Sequence, residues 1–343
     1  MKPILFRPGF SVALETNDPR AASLLASWRA AFPDMPLSAE PDFEDWVENA
    51  ARLEAAMRLA PERLGLVDME GNARFLDGRP VPADQEVQFL GSWRLTDNEH
   101  RKSGVFANYR YPAIALGDEL LARDYVHSQI FRRNAGRTVL LCGRREEPDD
   151  PVPLDIFDAL GAAFLLGARR ILIKVNLQKY AIFRFDIPSD DPREIEDKLT
   201  TENPDFGLAL VHLAGRNNMF MVQDFIPMTY EYRVIVFDHE AVAGAGCVEA
   251  HTPLDNEAPW DPKVEEVRSN GEVEHRPDLA ARYAEFAKAF VQEYKAERPN
   301  AGNYTLDLAI SDGRVVVIEL NPLRNYGLYA MNFDAVLRAQ LQK

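Results

Sequence analysis

The sequence has few of the residues that build disulfide frameworks or zinc clusters. Its 343 residues include two cysteines, Cys142 and Cys247, and neither lies near other metal-binding residue types in a cluster. Secreted disulfide-rich domains and structural zinc sites both need more cysteines at closer spacing. The sequence therefore argues against a disulfide framework and favours a reducing compartment such as the cytoplasm.

Long apolar runs are also missing. The first ten residues, MKPILFRPGF, contain no apolar core of the length that a signal peptide has. No segment approaches the ~20 consecutive apolar residues that a membrane-spanning helix requires. We therefore expect a cytoplasmic protein with no membrane partner.

Basic residues are outnumbered by acidic ones. The chain has 39 lysines and arginines against 54 aspartates and glutamates, a formal net charge of -15. Such a surface does not attract a phosphate backbone over a broad area, so a nucleic-acid partner is disfavoured. The length is sufficient for two or three domains.

The most informative stretch is YTLDLAISDGRVVVIELNPLRNYGLY, which spans residues 304–329. Two apolar runs flank Asp312-Gly313, and Asp-Gly between such runs predicts a β-hairpin. Glu319 and Asn321 are two residues apart, so they share one face of the second strand. Asp307 lies on the first strand, where the hairpin can bring its carboxylate towards that of Glu319.

Two carboxylates and an amide oxygen are hard oxygen donors. Mg²⁺ prefers a few such ligands, completed by phosphate and water. Because carboxylates at the end of a buried strand are costly without a cation, we predict a magnesium site at Asp307, Glu319 and Asn321. The alternative is that both acids flank the hairpin in solvent.

Lysine within an apolar strand is a second signal. Lys174 lies among the aliphatic residues of the strand 171–175, and a second strand is predicted over 180–187. The loop between them could cover a phosphate chain, with Lys174, Lys179 or Arg184 as cations. Surface charge explains Lys179 and Arg184 equally well. The basic turn 132–137 is either a solvated face or a contact for a phosphate or acidic substrate.

A further polar group follows a strand that stops at Pro227. The segment 219–227 contains Gln223 and Asp224, and the chain resumes as a strand that begins Glu231-Tyr232-Arg233. Glu231 and Arg233 share a face, either as a structural ion pair or as part of a polar site. Together with the strand 241–248, these segments predict a three-stranded antiparallel meander.

Helical patterns and a charged connector outline the domains. Apolar residues recur at helical spacing in the segments 19–32, 42–59, 277–297 and 333–341. The connector 144–153 is charged and contains prolines, which is typical of a boundary. We predict an N-terminal domain over residues 1–150 and a second domain over 151–343, divided into lobes 151–218 and 219–343.

The order of these pieces resembles the ATP-grasp superfamily. The series is the strand lysine Lys174, the segment QDFI at 223–226, Glu231 on the next strand, and Asp307 followed by Glu319-Leu320-Asn321. The segments EYRV and IELNPLRNYGLY are similar to the R2K clade of this superfamily. The resemblance covers roughly residues 155–343. It implies an α+β fold in which two lobes with antiparallel sheets enclose ATP, preceded by an α/β-like N-terminal domain of the pre-ATP-grasp kind.

The resemblance also implies roles for individual residues. Lys174, and with it Lys179, is similar to a lysine that contacts the ATP phosphates. Gln223 corresponds to a contact of the adenine amino group, and Glu231 to the carboxylate that holds the ribose hydroxyls. The remaining positions are implied as backbone contacts of the adenine ring or as ligands of Mg²⁺: Asp224 and Ile226 for the ring, and Asp307, Glu319 and Asn321 for the metal.

The chain departs from the superfamily pattern at two places. Many relatives carry an arginine two residues before the first metal carboxylate, and this position is Thr305 here. Arg233 or Arg324 is our hypothesis for the missing catalytic cation. The loop after Lys174 is short and lacks the usual glycines.

The resemblance implies an ATP- and Mg²⁺-dependent ligase as the leading function. Such an enzyme activates a carboxylate as an acyl phosphate and joins it to an amine or a similar nucleophile, and the partners are small-molecule or peptide substrates. Side chains would mainly position the reactants and neutralise charge. The alternatives are a kinase that phosphorylates a hydroxyl or a macromolecular end, and a nucleotide-binding module without turnover.

Overall fold

The computed structural model describes residues 2–6, 43–67, 71–90, 109, 120, 123–175, 182–216, 219–256, 258–323 and 327–342. The helix expected over 19–32 and the candidate site residues Lys179 and Arg324 lie outside these ranges. In the described part of the chain, no helix is both long enough and apolar enough to cross a membrane.

The described part of the chain contains both strands and α-helices. The strands are β1 (Ile4–Phe6), β2 (Leu64–Val67), β3 (Ala73–Phe75), β4 (Gln88–Leu90), β5 (Val139–Cys142), β6 (Arg170–Val175), β7 (Ile182–Asp186), β8 (Phe220–Asp224), β9 (Thr229–Phe237), β10 (Glu240–Gly246), β11 (Lys263–Glu265), β12 (Val273–His275), β13 (Tyr304–Ser311) and β14 (Arg314–Asn321). The α-helices are α1 (Phe43–Leu59), α2 (Gln129–Asn134), α3 (Ile156–Leu165), α4 (Pro192–Glu202), α5 (Pro204–Leu213), α6 (Pro277–Glu297) and α7 (Phe333–Leu341).

The N-terminal sheet contains parallel strands. Its order is β3-β2-β1-β4, with β1 parallel to both β2 and β4 and the hairpin β2–β3 at one edge. This arrangement agrees with the α/β-like character expected for the N-terminal part.

The middle sheet is antiparallel and has the order β5-β8-β6-β7. Side chains alternate along β6, so Ile171, Ile173 and Val175 pack against helices α3, α4 and α5. Leu172 and Lys174 therefore lie on the opposite face. This alternation places the lysine away from the helical core, in a position to face the rest of the molecule.

The expected meander is wrong in one respect. Strand β8 pairs with β5 and β6 in the middle sheet, whereas β9 pairs with β10 and β13. Pro227 cannot donate to a ladder, and the chain passes from one sheet to the next between β8 and β9. The predicted domain division stays a prediction. The middle sheet crosses its boundaries, because β5 belongs to the range 1–150 and β8 to the range 219–343.

The third sheet is also antiparallel, in the order β10-β9-β13-β14. The predicted hairpin is present as β13–β14, with positive φ at Asp312 and Gly313. Positive φ at both central residues is typical of the type I′ hairpin turn. Between β10 and α6 the chain forms the short hairpin β11–β12.

A buried cluster joins the middle and third sheets. Val139 and Met221 of the middle sheet pack in one core with Val234, Leu306 and Val317 of the third sheet, and helix α6 covers the same core. The α+β class with antiparallel sheets is therefore confirmed, and the two sheets approach each other where the candidate site residues lie.

Candidate functional site

Lys174 connects the two antiparallel sheets. Its Nζ lies 3.0 Å from Oε2 of Glu319 on β14. Gln223 lies on the same face of the middle sheet, because β6 and β8 pair Leu172 with Gln223 and Lys174 with Met221. The strand lysine and the predicted adenine contact thus share the face that meets the third sheet.

The three predicted metal ligands lie together at the paired ends of β13 and β14. Asp307 is directly opposite Glu319 in the register, and a register shift follows between Asp307 and Leu308. Nδ2 of Asn321 lies 3.1 Å from Oδ2 of Asp307 and 3.2 Å from Oε1 of Glu319. The structure therefore brings the predicted set together, as hairpin pairing and strand alternation require.

Arg233 neutralises the first carboxylate. It lies opposite Asp307 in the pairing of β9 with β13, and its Nε and Nη2 donate to the two carboxylate oxygens at 2.8 Å each. Burial disfavours the charged guanidinium, but the charge of Asp307 outweighs it and raises the pKa of Arg233 well above its ordinary value. Arg233 therefore pairs with Asp307 and not with Glu231, the partner on its own strand that the sequence allowed.

Glu319 is held by two cations. Besides Lys174, Nη1 of Arg123 lies 3.3 Å from Oε2 of Glu319. Burial alone raises the pKa of a carboxyl group, but Lys174, Arg123 and the Asn321 amide more than reverse this effect and hold the pKa of Glu319 far below its usual range. Glu319 is therefore an anion throughout the neutral range.

The donor set fits a magnesium ion. A buried carboxylate (Asp307) and a half-buried one (Glu319) converge with an amide side chain, and positive groups from three other segments of the chain compensate their charge. Rotating the Asn321 amide would place its oxygen between the carboxylates as a third hard donor. In the described part of the chain no group of three or more His, Cys, Asp and Glu residues is arranged to hold a metal, so any metal here would rely on the amide.

Glu231 faces a different arginine from the one expected. Nη1 of Arg268, in the turn after β11, lies 3.8 Å from Oε2 of Glu231. Burial, together with the nearby Asp307 and Glu319 charges, raises the pKa of Glu231 above its ordinary value although Arg268 and Lys174 oppose the rise. Glu231 is thus a partly desolvated carboxylate beside the acidic pair.

Two guanidinium groups lie close to the ring of Tyr329. The carbon centres of Arg233 and Arg268 lie 5.2 Å and 5.6 Å from the centroid of its ring. Nη2 of Arg268 donates to the Tyr329 hydroxyl at 2.9 Å. Burial raises the pKa of Tyr329 to about 12, so its hydroxyl keeps its proton at neutral pH. Two cations and an aromatic face therefore border the carboxylates on this side.

The segment 223–226 provides polar groups at the end of β8. Oε1 of Gln223 accepts from Arg137, and Oδ2 of Asp224 accepts from the Thr138 backbone N–H at 3.2 Å. Ile226 is half-buried beside this strand end. The predicted roles of Gln223, Asp224 and Ile226 in binding adenine stay predictions.

Three arginines of the site escaped the sequence interpretation. Arg123 has no local signal, since its partner Glu319 is far along the chain. The sequence marks Arg137 only as part of the basic turn 132–137, and Arg268 lies between β11 and β12, where the sequence shows no site pattern. Each reaches the site through contacts between distant segments, which no spacing in the sequence reveals.

No protein-family model and no curated protein sequence matches the chain. Among solved structures, D-alanyl-alanine synthetase A from Vibrio cholerae O1 biovar eltor str. N16961 is 12% identical with a TM-score of 0.44, and the match covers 99% of this chain and 93% of that one. A D-alanine–D-alanine ligase from Bacillus anthracis, complexed with ATP, is 11% identical with a TM-score of 0.42 over 100% and 98% of the two chains. The ATP-grasp ligase PsnB, complexed with a minimal precursor, is 12% identical with a TM-score of 0.42 over 100% and 99%.

The departure at Thr305 has a structural counterpart: Thr305 is fully buried, and its Oγ1 has no hydrogen-bond partner among the described residues. Asp307 follows Thr305 by two residues on β13, and the guanidinium of Arg233 on the adjacent strand β9 binds this aspartate.

Proposed function

We propose that the protein is an ATP- and Mg²⁺-dependent ligase that joins a carboxylate to an amine through an acyl phosphate. The observation that carries this proposal is the convergence of cations on the carboxylates of Asp307 and Glu319 where the two antiparallel sheets meet. Lys174 and Arg123 approach Glu319, and Arg233 binds Asp307 with two hydrogen bonds. Phosphoryl transfer depends mainly on positioned charge of this kind, since it needs little covalent chemistry from the protein.

Each charged group has a role in the proposed reaction. Asp307, Glu319 and Asn321 would hold Mg²⁺, which supplies neutralisation of the phosphate charge when it is bound. On nucleotide binding, the side chains of Lys174 and Arg123 would exchange the Glu319 carboxylate for the phosphate oxygens as their hydrogen-bond partner. Their release from the carboxylate frees it to take up the metal.

The substrate side of the site is assigned to the arginines around Tyr329. A guanidinium binds a carboxylate or phosphate through two parallel hydrogen bonds, so Arg268 suits the substrate carboxylate or the transferred phosphoryl group. Arg233, whose Nε and Nη2 both bind Asp307, would contribute its positive charge. A carboxylate oxygen attacks the terminal phosphorus and ADP leaves. The amine nitrogen then attacks the carbonyl carbon of the acyl phosphate, losing a proton as phosphate departs. Arg324 stays a candidate for this pocket from the sequence alone.

The decisive experiment measures ADP release from Mg·ATP with pooled amino acids, small peptides and other carboxylic acids. Glu319→Gln is the blank, because it removes one charge from the site without changing side-chain size. Glu240→Gln is a matched control, since Glu240 is exposed on β10. We expect acid-dependent ADP release in the native protein and the control, and none in the blank.

Hydroxylamine separates the reaction classes. It traps an acyl phosphate as a hydroxamate, so acid-dependent hydroxamate formation supports the ligase. A stable phosphate ester on the acceptor, without hydroxamate, would establish a kinase instead. Tight nucleotide binding without turnover in the presence of any acceptor would identify the protein as a nucleotide-binding module without catalytic activity.

A further inference from the structure

Strand β14 contains one residue more than β13 beside the acidic pair Asp307 and Glu319. The two apolar pairs that flank the acidic pair in the register are Leu306 with Leu320 and Leu308 with Val317. Between these two pairs β13 advances by two residues, from 306 to 308, whereas β14 advances by three, from 317 to 320. Ile318 is the extra residue, so β14 has a β-bulge directly before Glu319.

The bulge determines the direction of the Glu319 side chain. Strand alternation alone would place Val317 and Glu319 on the same face, because they are two residues apart. Val317 is instead fully buried in the core cluster that also contains Leu320. Glu319 bonds to Lys174 of the middle sheet, on the side of the candidate site. If the extra residue were absorbed by a one-residue slip in register, every side chain after it would turn to the other face. Glu319 therefore faces the candidate site only while the bulge persists.

Arg137 binds the backbone of this bulge. Its Nη1 donates to the Val317 carbonyl at 2.9 Å, and its Nη2 donates to the Ile318 carbonyl at 2.7 Å. These are the two carbonyl groups immediately before Glu319 in the chain. A bulge disrupts the ladder locally, so its carbonyl groups gain from partners outside the sheet. Hydrogen bonds from a charged donor are roughly twice as strong as neutral ones, and Arg137 supplies both.

The remaining donors of Arg137 hold the guanidinium in place. Nη1 also donates to the Ala135 carbonyl at 2.8 Å, and Nη2 and Nε donate to Oε1 of Gln223 at 3.0 Å and 3.1 Å. A guanidinium has five N–H groups, and these contacts together with the two bulge carbonyls use all five. Arg137 is thus fixed to its own turn and to β8, and it has no N–H group left for a ligand. Its contribution to the site is to hold the bulge.

We infer that Arg137 is a positioning residue for the candidate metal site, because it holds the β-bulge of β14 and thereby directs the Glu319 carboxylate into the site. Asn321 lies two residues after Glu319, so the same bulge also sets the direction of its amide. The inference rests on the proposed function, since it needs Mg²⁺ with a nucleotide at these residues. It assigns to the basic turn 132–137 a residue that supports the metal ligands without contacting the metal.

The charge of Arg137 alone would have the opposite effect on a metal. A cation near a metal site repels the incoming ion, so removing the charge would strengthen Mg²⁺ binding. Removing a residue that orients metal ligands weakens metal binding, typically by about 10–100-fold. The sign of the change in Mg²⁺ affinity therefore distinguishes the positioning role from a purely electrostatic one.

The first test is amide hydrogen exchange of the ligand-free, full-length protein, measured by mass spectrometry. Arg137→Met removes both hydrogen bonds to the bulge and keeps an unbranched side chain. We expect the segment 314–321 to exchange about tenfold faster in this variant, the worth of hydrogen bonds to a charged group. Strand β2 of the N-terminal sheet is the internal reference, because general destabilisation would accelerate exchange there as well.

The second test measures the Mg²⁺ concentration required for half-maximal ADP binding, by isothermal titration calorimetry. ADP is used because it does not turn over. Arg137→Met should raise this concentration about tenfold or more. In the Glu319→Gln background the same substitution should change it by less than about twofold, because the carboxylate that Arg137 positions is already gone.

Two further variants support these tests. Arg133→Met is the matched control, since Arg133 lies in the same basic turn and forms an exposed ion pair with Glu293. It should leave both measurements unchanged. Arg137→Lys keeps the charge but replaces the fixed fork of donors by a single flexible group. It should show both changes to a smaller extent, and it provides the test if Arg137→Met does not fold.

Three results would overturn the inference. Unchanged exchange of the segment 314–321 in folded Arg137→Met would show that the bulge persists without the arginine. An unchanged or lowered Mg²⁺ requirement would leave Arg137 with a structural or electrostatic role only. An equally large rise in the Glu319→Gln background would show that Arg137 does not act through Glu319. If the native protein binds no nucleotide at any Mg²⁺ concentration, the proposed function fails, and hydrogen exchange still decides whether Arg137 holds the bulge.

Discussion

Arg233 and Asp307 form a buried ion pair across two strands, with side chains 12% and 9% exposed. Removing one member of such a pair leaves an uncompensated buried charge, which typically costs about 3–5 kcal/mol. We predict that Arg233→Met lowers the free energy of unfolding by about that amount, measured by urea denaturation. Adding Asp307→Asn should restore most of the loss, because the orphaned charge is then gone.

A second arginine–aspartate pair provides the control. Arg170 and Asp186 also face each other across antiparallel strands, but their side chains are 60% and 62% exposed. Since exposed pairs contribute little, Arg170→Met should change the free energy of unfolding by less than about 1 kcal/mol. Equal losses in the two variants would show that burial does not determine the strength of the Arg233 pair.

The raised pKa of Glu231 makes a prediction about pH. If this carboxylate accepts hydrogen bonds from ribose hydroxyls, its protonation removes acceptor capacity. Nucleotide affinity should therefore fall as the pH is lowered through the raised pKa, at a higher pH than an ordinary glutamate would give. Isothermal titration calorimetry between about pH 4 and pH 8 measures this dependence.

Glu231→Gln is the matched variant, and it should flatten the dependence. The free energy of unfolding should depend on pH in the opposite direction to nucleotide affinity. A carboxyl whose folded pKa is raised stabilises the fold below its unfolded pKa, and this contribution disappears as the pH rises through the folded pKa. Native protein should accordingly lose stability relative to Glu231→Gln as the pH rises. An unchanged affinity profile in the variant would remove Glu231 from the nucleotide site.

At the scale of elements, the turn before β5 depends on glycine. Gly136 has φ +66°, and a Cβ built there would lie 2.7 Å from Cγ1 of Val316 on β14. Alanine would add left-handed backbone strain of about 1–2 kcal/mol and a collision costing about 1–3 kcal/mol. We predict a loss of about 2–5 kcal/mol in the unfolding free energy of Gly136→Ala, measured by denaturant titration.

Gly313 separates the two contributions. It has φ +72° in the β13–β14 turn, with nothing within 4 Å of an added Cβ. Gly313→Ala should cost only the backbone strain, about 1–2 kcal/mol. Adding Val316→Ala to Gly136→Ala should recover the collision part. Equal costs for the two glycines would mean that β14 shifts freely and that the approach of the sheets at Arg137 is loose.

Elements with strong local patterns were predictable from the sequence. The hairpin of β13 and β14 follows from Asp312-Gly313 between apolar runs, and α6 follows from its apolar stripe. Pairing in that hairpin also placed Asp307 beside Glu319. Sheet membership was not predictable, because nothing in the sequence of β8 shows that it pairs with β5 and β6 rather than with β9.

The same limit applies to the site. Contacts within one hairpin can be derived from alternation, but the cations that hold Glu319 come from residues 123 and 174, almost 200 and 145 positions away. Such pairs depend on how the sheets stack, which depends on the whole set of apolar contacts. The roles of Arg123, Arg137 and Arg268 therefore needed the three-dimensional structure.

At the scale of the whole molecule, the two ends of the chain share one core. Phe6 and Leu53 from the N-terminal part pack with Ile235, Phe333 and Leu337. On the rim of this core, Nε of Arg58 donates to Oδ2 of Asp334 at 3.0 Å, and Nε2 of Gln88 donates to the Gln340 carbonyl at 3.1 Å. Helix α7 thus buries its apolar face against residues that the predicted division assigns to another domain.

These contacts predict the behaviour of the fragment 151–343, which corresponds to the predicted second domain. It lacks strand β5 and the N-terminal residues that cover α7, so it would expose apolar surface that the full chain buries. We expect the fragment to bind the dye ANS and to unfold without a cooperative transition, whereas the full chain unfolds cooperatively.

A longer fragment, 120–343, distinguishes the two causes. It regains β5, Arg123 and Arg137, and so completes the middle sheet and the charge set around Glu319. It still lacks the partners of α7, so it should bind Mg·ATP weakly while continuing to bind ANS. A cooperative transition and full nucleotide affinity in the fragment 151–343 would show instead that the candidate nucleotide-binding part is independent and that the boundary at residue 150 is real. Because the same core joins both ends of the chain, we expect removal of the N-terminal part to weaken nucleotide binding as well as the cooperativity of folding.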